Sequence, residues 1–524
     1  MKKIFLLSVL GILSLAGSAH TYTNPIIPGF YPDPSICRVD SDYYIVNSTF
    51  QYFPGLPIWH SRDLVNWEQV GNAIERTDQM DLTQTIGWGG LYAPTIRYNE
   101  GKFYVINTNT THGGNFFVTA NDPAGPWSDP IWLKQEGIDP SFYFEDGKCY
   151  FTSNPDGAIW LCEINPETGE QLTPSKMLWQ GTGGRFPEGP HIYKKDGWYY
   201  LLISEGGTEH AHMITIARSK DIYGPYEANP ANPILTHCNQ LGQSNPIQGT
   251  GHADLVEAPD GSWWLVCLAF RPQVGMNHLT GRETYLAPVA WNEDGWPVVN
   301  GNGTIQTVMN ANLPIQGELK PQTDWSVNLD FTNQNKFGLE WLYLRRPDFK
   351  DYNFTEKGLV LRGNEFDLNS IEYPTFVGRR QQHIDFEAVT SLSFDAKETG
   401  SQAGITLYME MHSHYDLYIS KTSTGYAINL DYWLGSIYHH QAQLALPSDS
   451  ATLKITGETG NYNFYYSTDN GKSYTHIGTA DTRYLSSETA GGFTGIVIGL
   501  YCTGKGDPEA TFRTFEYKPV GRRG

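Results

Sequence analysis

Asp33 in GFYPDPSICR, Asp139 in GIDPSFYFED and Glu188 in FPEGPHIYKKD each stand just ahead of a short apolar and aromatic run. Asp33 and Asp139 lie about seven residues before a turn pair, Asp40-Ser41 and Asp146-Gly147, and Glu188 about eight before Asp196-Gly197. A single acid beside Pro and Gly is usually a turn former. Three at matched offsets, gathered into one pocket, would push each other's pKa values apart, and acid–base chemistry needs that separation. The chain has no phosphate loop, Gly-x-Ser-x-Gly elbow or His-Glu-x-x-His helix. Paired carboxylates beside aromatic residues make the glycosidase pattern, in which one acid protonates the leaving oxygen and the other activates water or attacks the sugar. Aromatic candidates for the pocket are Phe30, Tyr31, Phe50, Trp88, Tyr92 and Phe186.

The elements that must position these acids repeat five times. Each unit has a short strand, a turn, an aromatic strand such as DYYIVNST, KFYVINTN, KCYFTSNP, WYYLLISE or SWWLVCLA, and then an outer strand and turn. The first turns are spaced about 60, 46, 50 and 64 residues apart, the size of a four-stranded blade with variable loops. Five blades predict a β-propeller, whose innermost strands line one axis and bring equivalent residues together at its mouth. Asp33, Ala93, Asp139, Glu188 and His252 hold the matching positions.

At these residues the sequence closely resembles glycoside hydrolase family 43, the β-xylosidases and α-L-arabinofuranosidases with a five-bladed propeller. The segments that carry the resemblance include GFYPDPSICR, YYIVNSTFQYFPGLPIWHSRDLVNW, FPEGPHIYKKDGWYYL, EGGTEHAHMITIARSKDIYGPYE, GTGHADLVE and GRETYLAPVAWNEDGWPVV, covering nearly all of residues 24 to 300. The resemblance implies that Asp33 is the base that activates water, Glu188 the general acid, and Asp139 the residue that orients the acid and modulates its pKa. It also implies substrate binding by Arg282 and a pocket-centre place for His252, which in some relatives lies near a metal ion; Phe50 and Tyr92, from the aromatic candidates, are also expected to bind substrate. No cofactor is expected to be required, and a structural or pocket calcium stays open. An ion pair of Arg282 with Glu283 or Asp294, and a hydrogen-bonding role for His252, stay open too. Where many β-xylosidases of the group have Trp before Ala-Pro, this chain has Tyr92, which puts the shape of the sugar subsite in question.

After DGWPVVNGNGT, the stretch MNANLPIQGELKPQTDW reads as a linker. The alternating segments beyond it predict a β-sandwich of concanavalin-like or jelly-roll type. The expected division is therefore all-β: a signal peptide over 1–19, a catalytic propeller over 20–315 and a sandwich over 325–520. In relatives a sandwich loop reaches the pocket, and Phe493 in GGFTG is the candidate here. The 524 residues carry a formal net charge of −20, which argues against nucleic acid, since phosphate binding needs clustered Lys and Arg. A plant cell-wall oligosaccharide fits better as the partner. The N-terminal MKKIFLLSVLGILSLAGSAH reads as a cleavable signal ending at Ala19, so a periplasmic or secreted protein without a membrane span is expected. Six scattered cysteines show no metal spacing, and a disulfide between Cys149 and Cys162, which flank a predicted hairpin, stays open. The functional reading is an inverting, exo-acting glycosidase releasing xylose or arabinofuranose. The alternatives are a strict α-L-arabinofuranosidase and a non-catalytic carbohydrate-binding propeller.

Overall fold

The computed structural model describes residues 19–240, 245–273, 275–315 and 318–521. The signal-peptide expectation thus falls almost wholly on residues 1–18, outside the described residues. Among the described residues no helix is long and apolar enough to cross a membrane.

Each of the five repeats folds into an antiparallel sheet. Their inner strands are Ser35–Val39, Thr95–Asn99, Ile138–Glu145, Glu188–Lys195 and Gln248–Glu257. Each inner strand packs against the next, and the fifth packs back on the first, closing the ring. The aromatic second strands, among them Trp198–Glu205 and Trp263–Phe270, are buried along most of their length. A strand covered on both faces reads as a continuous apolar run, which is why the repeat was conspicuous in sequence. The turns Asp40, Glu100, Asp146 and Asp196 have φ of 54°, 49°, 51° and 50°, the left-handed conformation that tight hairpin turns demand.

The expected linker is partly regular: Val308–Ala311 pairs with His20–Thr23 in a two-stranded sheet. Beyond it, two sheets of eight strands face each other across a large apolar core. The run AGITLYMEMHSHYDLYIS is two strands, Gln402–Glu410 and Ser413–Thr422, with a tight turn between them. One sheet has an edge that comes from the propeller: Tyr52–Phe53 of blade one pairs with Leu342–Leu344. The two folds therefore share a hydrogen-bonded sheet. Cys149 and Cys162 do not pair, and both are free and buried. Cys149 stands opposite Ile164 and Cys162 opposite Phe151, two positions out of register.

Candidate active site

The inner strands share one register. Ser35 stands opposite Val46, Thr95 opposite Ile106, Ser141 opposite Thr152, His191 opposite Leu202 and Asp254 opposite Val266. Two residues before each come Asp33, Ala93, Asp139, Gly189 and His252. Four of these are left-handed, with φ of 53° at Asp33, 55° at Asp139, 59° at Gly189 and 45° at His252. Asp and His tolerate this region better than most residues but still at a cost of about 1–3 kcal/mol. In blades three to five the inner ladder also slips at this point, as bulges do where side chains are re-aimed.

This register corrects one detail of the sequence alignment. Gly189, not Glu188, is the fourth-blade equivalent of the two aspartates. A Cβ on Gly189 would lie 3.1 Å from the His252 ring, so the ring occupies the space that a side chain would need. Glu188 enters the pocket from one residue earlier.

Asp33 is buried and paired. Arg282 Nη1 donates to its Oδ1 at 2.9 Å, and the Ser48 hydroxyl donates to Oδ2. Arg282 also donates to Thr208 Oγ1 at 2.8 Å and to the Phe493 carbonyl at 3.2 Å. The alternative ion pair with Glu283 does not form, because Glu283 is engaged by Arg271 at 2.7 Å. Asp139 accepts from the Gly189 amide at 3.0 Å, and the Nδ1 of His252 stands 4.0 Å from the same carboxylate. Glu188 Oε1 lies 3.2 Å from Nε2 of the fully buried His212.

Burial first, and then the neighbouring negative charges, push both Asp139 and Glu188 up to about 7, against the opposing pull of His252. The two carboxyls titrate as a pair that holds a proton near neutrality. His212 is pushed down to about 3 by burial, with the Arg282 charge adding to it, and so it is a neutral neighbour to Glu188.

Three parts of this arrangement were missed in the sequence: Ser48, Thr208 and His212. The last two stand in EGGTEHAHM, where a histidine four residues after a threonine carries no periodic or spacing signal. Glu205 of the same segment is buried and accepts from the Thr182 and Gly184 amides at 2.9 Å and from Thr215 Oγ1 at 2.6 Å. It thereby ties down the loop leading to Glu188.

Of the aromatic candidates, Phe50 and Tyr92 meet Phe493 from the sandwich. Ring centroids are 5.5 Å apart for Phe50 and Tyr92, 5.9 Å for Phe50 and Phe493, and 6.1 Å for Tyr92 and Phe493. The Arg282 guanidinium lies 5.4 Å from the Phe493 ring. Phe30 and Tyr31 belong to the packing: Phe30 is wholly buried, and Tyr31 is held between Trp59 and Arg380. Phe186 is exposed, with Arg185 over its ring, and Trp88 lies on a separate cavity.

Beneath the acids the axis is filled by a second polar layer. Asp254, wholly buried, accepts from Ser35 Oγ at 2.6 Å and from Arg97 Nη1 at 2.8 Å, and the Tyr193 hydroxyl also donates to it. Arg97 Nη2 reaches His191 Nδ1 at 2.8 Å. Burial opposes the charge on Asp254, but Arg97 overcomes it and holds the carboxyl well below the usual range. Blades one, two, four and five are thus joined at one carboxylate, which fixes the strand starts that carry the acids.

Among the described residues no cluster of three or more His, Cys, Asp or Glu is arranged to hold a metal ion. Calcium takes six to eight oxygen ligands. Of the side chains here, His252 and one carboxylate would supply only a part of such a shell.

The model for glycosyl hydrolases family 43 matches residues 22–297, and that for the beta xylosidase C-terminal concanavalin A-like domain matches 328–518. A non-reducing end alpha-L-arabinofuranosidase of Bacteroides ovatus is 40% identical over 98% of this chain and 97% of its own. A xylosidase/arabinosidase of Butyrivibrio fibrisolvens is 38% identical over 95% of this chain and 98% of its own. The solved structure described as Bacteroides ovatus xyloglucan PUL GH43B superposes with a TM-score of 0.90 at 40% identity, covering 96% of this chain and 100% of that one.

Proposed function

We propose, from the premise that this chain belongs to glycosyl hydrolase family 43, that it removes terminal xylose or arabinofuranose from plant cell-wall oligosaccharides with inversion at the anomeric carbon. It is a glycoside hydrolase. The observation that carries the finer reading is the contrast between its acids: Glu188 is half-buried and pushed up to about 7, while Asp33 is buried and paired with Arg282 at 2.9 Å. One group is a proton donor near neutrality and the other a carboxylate held in place by a cation.

In this reading Asp33 takes a proton from a water, whose oxygen attacks the anomeric carbon. Glu188 gives its proton to the departing glycosidic oxygen as that bond breaks. Asp139 holds the peptide after Glu188 through the Gly189 amide, and its negative charge opposes ionisation of the acid. Phe493 closes one side of the pocket, which supports an exo mode that accepts a chain end. NMR of the first product formed from a nitrophenyl pentoside, before mutarotation, tests the stereochemistry. Inverted configuration is expected, and net retention would mean that Asp33 or Glu188 is a nucleophile.

A periplasmic or secreted location is part of the proposal. It is supported by the apolar N-terminal segment and by the first strand, which begins at His20, one residue past the expected cleavage point. N-terminal sequencing of the exported protein should start at His20.

A further inference from the structure

A second cavity, of about 560 Å³, lies between the propeller loop around residues 86–88 and the sandwich. Its walls include Trp88, Tyr484 and Ile437, together with Glu410, Met411 and His412. Trp88 and Tyr484 are 37% and 39% exposed, whereas Glu410 is only 6% exposed. One Glu410 oxygen accepts from the His412 amide at 2.8 Å, so the carboxylate is fixed while lining the space.

The same two loops build this cavity and the catalytic pocket. The chain that carries Trp88 reaches Tyr92 four residues later, a span of at most about 14 Å. The chain that contributes Thr489 and Ala490 to the cavity reaches Phe493. A Cβ on Gly492, next to Phe493, would lie 3.1 Å from the Trp88 ring. Met411 lines the cavity and packs in one apolar cluster with Tyr92 and Phe493. The cavity is therefore set against the outer side of the pocket wall, within reach of a short oligosaccharide whose end is in the pocket.

Exposed aromatic faces with a fixed carboxylate suit a neutral polyhydroxylated ring: the apolar face of a pyranose covers the indole, and its hydroxyls donate to the carboxylate. The volume is in the range of small-ligand sites, and its concavity does not suit a flat protein partner. We infer that this cavity is a carbohydrate subsite for pyranose units of the substrate beyond the cleaved bond. The inference rests on the glycosidase reading for its biological use, though not for its test.

The probes are xylotetraose and cellotetraose, two sources of the same chemistry, with Trp88→Ala and Glu410→Gln as variants. In the full-length protein, calorimetric binding to a Glu188→Gln background should weaken about tenfold on adding Trp88→Ala, a loss of about 1.4 kcal/mol. In the active enzyme KM for xylotetraose should rise by a similar factor, while kcat/KM on a nitrophenyl pentoside stays within about twofold. Glu410→Gln, which keeps an oxygen to accept from the His412 amide, should weaken the same ligand and leave the melting temperature unchanged. Loss with only one tetrasaccharide supports the subsite and identifies the chain it takes. Unchanged binding of both, or an equal loss on the nitrophenyl pentoside, overturns it. An enzyme inactive on every pentoside defeats the catalytic reading alone, because the binding measurement still decides the subsite.

Discussion

Replacing Asp139 by Asn should move the alkaline limb of the kcat/KM profile to lower pH. Glu188 must be protonated to act as the acid, and it is pushed up to about 7 in a pair with Asp139. Asn keeps an oxygen to accept from the Gly189 amide, now 3.0 Å from the Asp139 carboxylate, so the loop after Glu188 stays put and only the charge is lost. A like charge in the same buried pair typically shifts a carboxyl by about one to two pKa units. Glu188 in the variant would then give up its proton at lower pH than in the wild type. The protonated fraction near pH 7 falls, and for a shift of about one to two pKa units kcat/KM there drops about 5- to 50-fold. At lower pH Glu188 is protonated again, and much of the activity returns. The assay is a full pH profile on a nitrophenyl pentoside, with wild type alongside. A limb that stays near 7, or moves to higher pH, would refute the claim that the Asp139 charge sets the proton affinity of the acid.

Arg97→Met strands the buried Asp254 carboxylate and should destabilise the fold by about 3–5 kcal/mol in a thermal or denaturant melt, whereas a wild-type melt would show the axial layer to be dispensable. His191 and His212 are pushed down to about 3 by burial, so their contribution to stability is complete above about pH 6.5 and is lost as pH falls toward 3. The raised Asp139 and Glu188 act oppositely, favouring the fold as pH falls through 7, but that effect is exhausted below about pH 4. Melting temperature should therefore drop between about pH 4 and 3, and a flat or rising curve there would contradict the burial argument. Phe493→Ala removes the ring that meets Phe50 and Tyr92 but keeps the carbonyl that accepts from Arg282; KM for a nitrophenyl pentoside should rise about tenfold with melting unchanged. Deleting residues 321–524 takes away the strand paired with Tyr52–Phe53 and uncovers apolar surface; a soluble, fully active product would disprove the dependence.

The five-fold repeat, the sandwich and the three acids were legible in the chain because each rests on local chemistry. Aromatic strands covered on both faces must be continuously apolar, tight turns must carry Asp and Gly, and acids recurring at or beside one offset signal one place in a ring. Arg282 and Phe493 became candidates only through resemblance, since neither has a local signal. The tertiary structure decided the rest. It put Gly189 at the repeat position and Glu188 beside it, because the His252 ring fills the space that a side chain would use. It gave Arg282 to Asp33, because Arg271 already holds Glu283. It buried Phe30 and Tyr31 as packing, placed Trp88 on a second cavity, and brought His212 to Glu188 from the loop before Met213–Ser219. It left Cys149 and Cys162 free, because their strands pair two positions out of register. Residue type is enough to say which groups can hold a proton or stack on a ring. Which of them meet depends on register, bulges and competition for partners, and these exist only once separate strands are packed together.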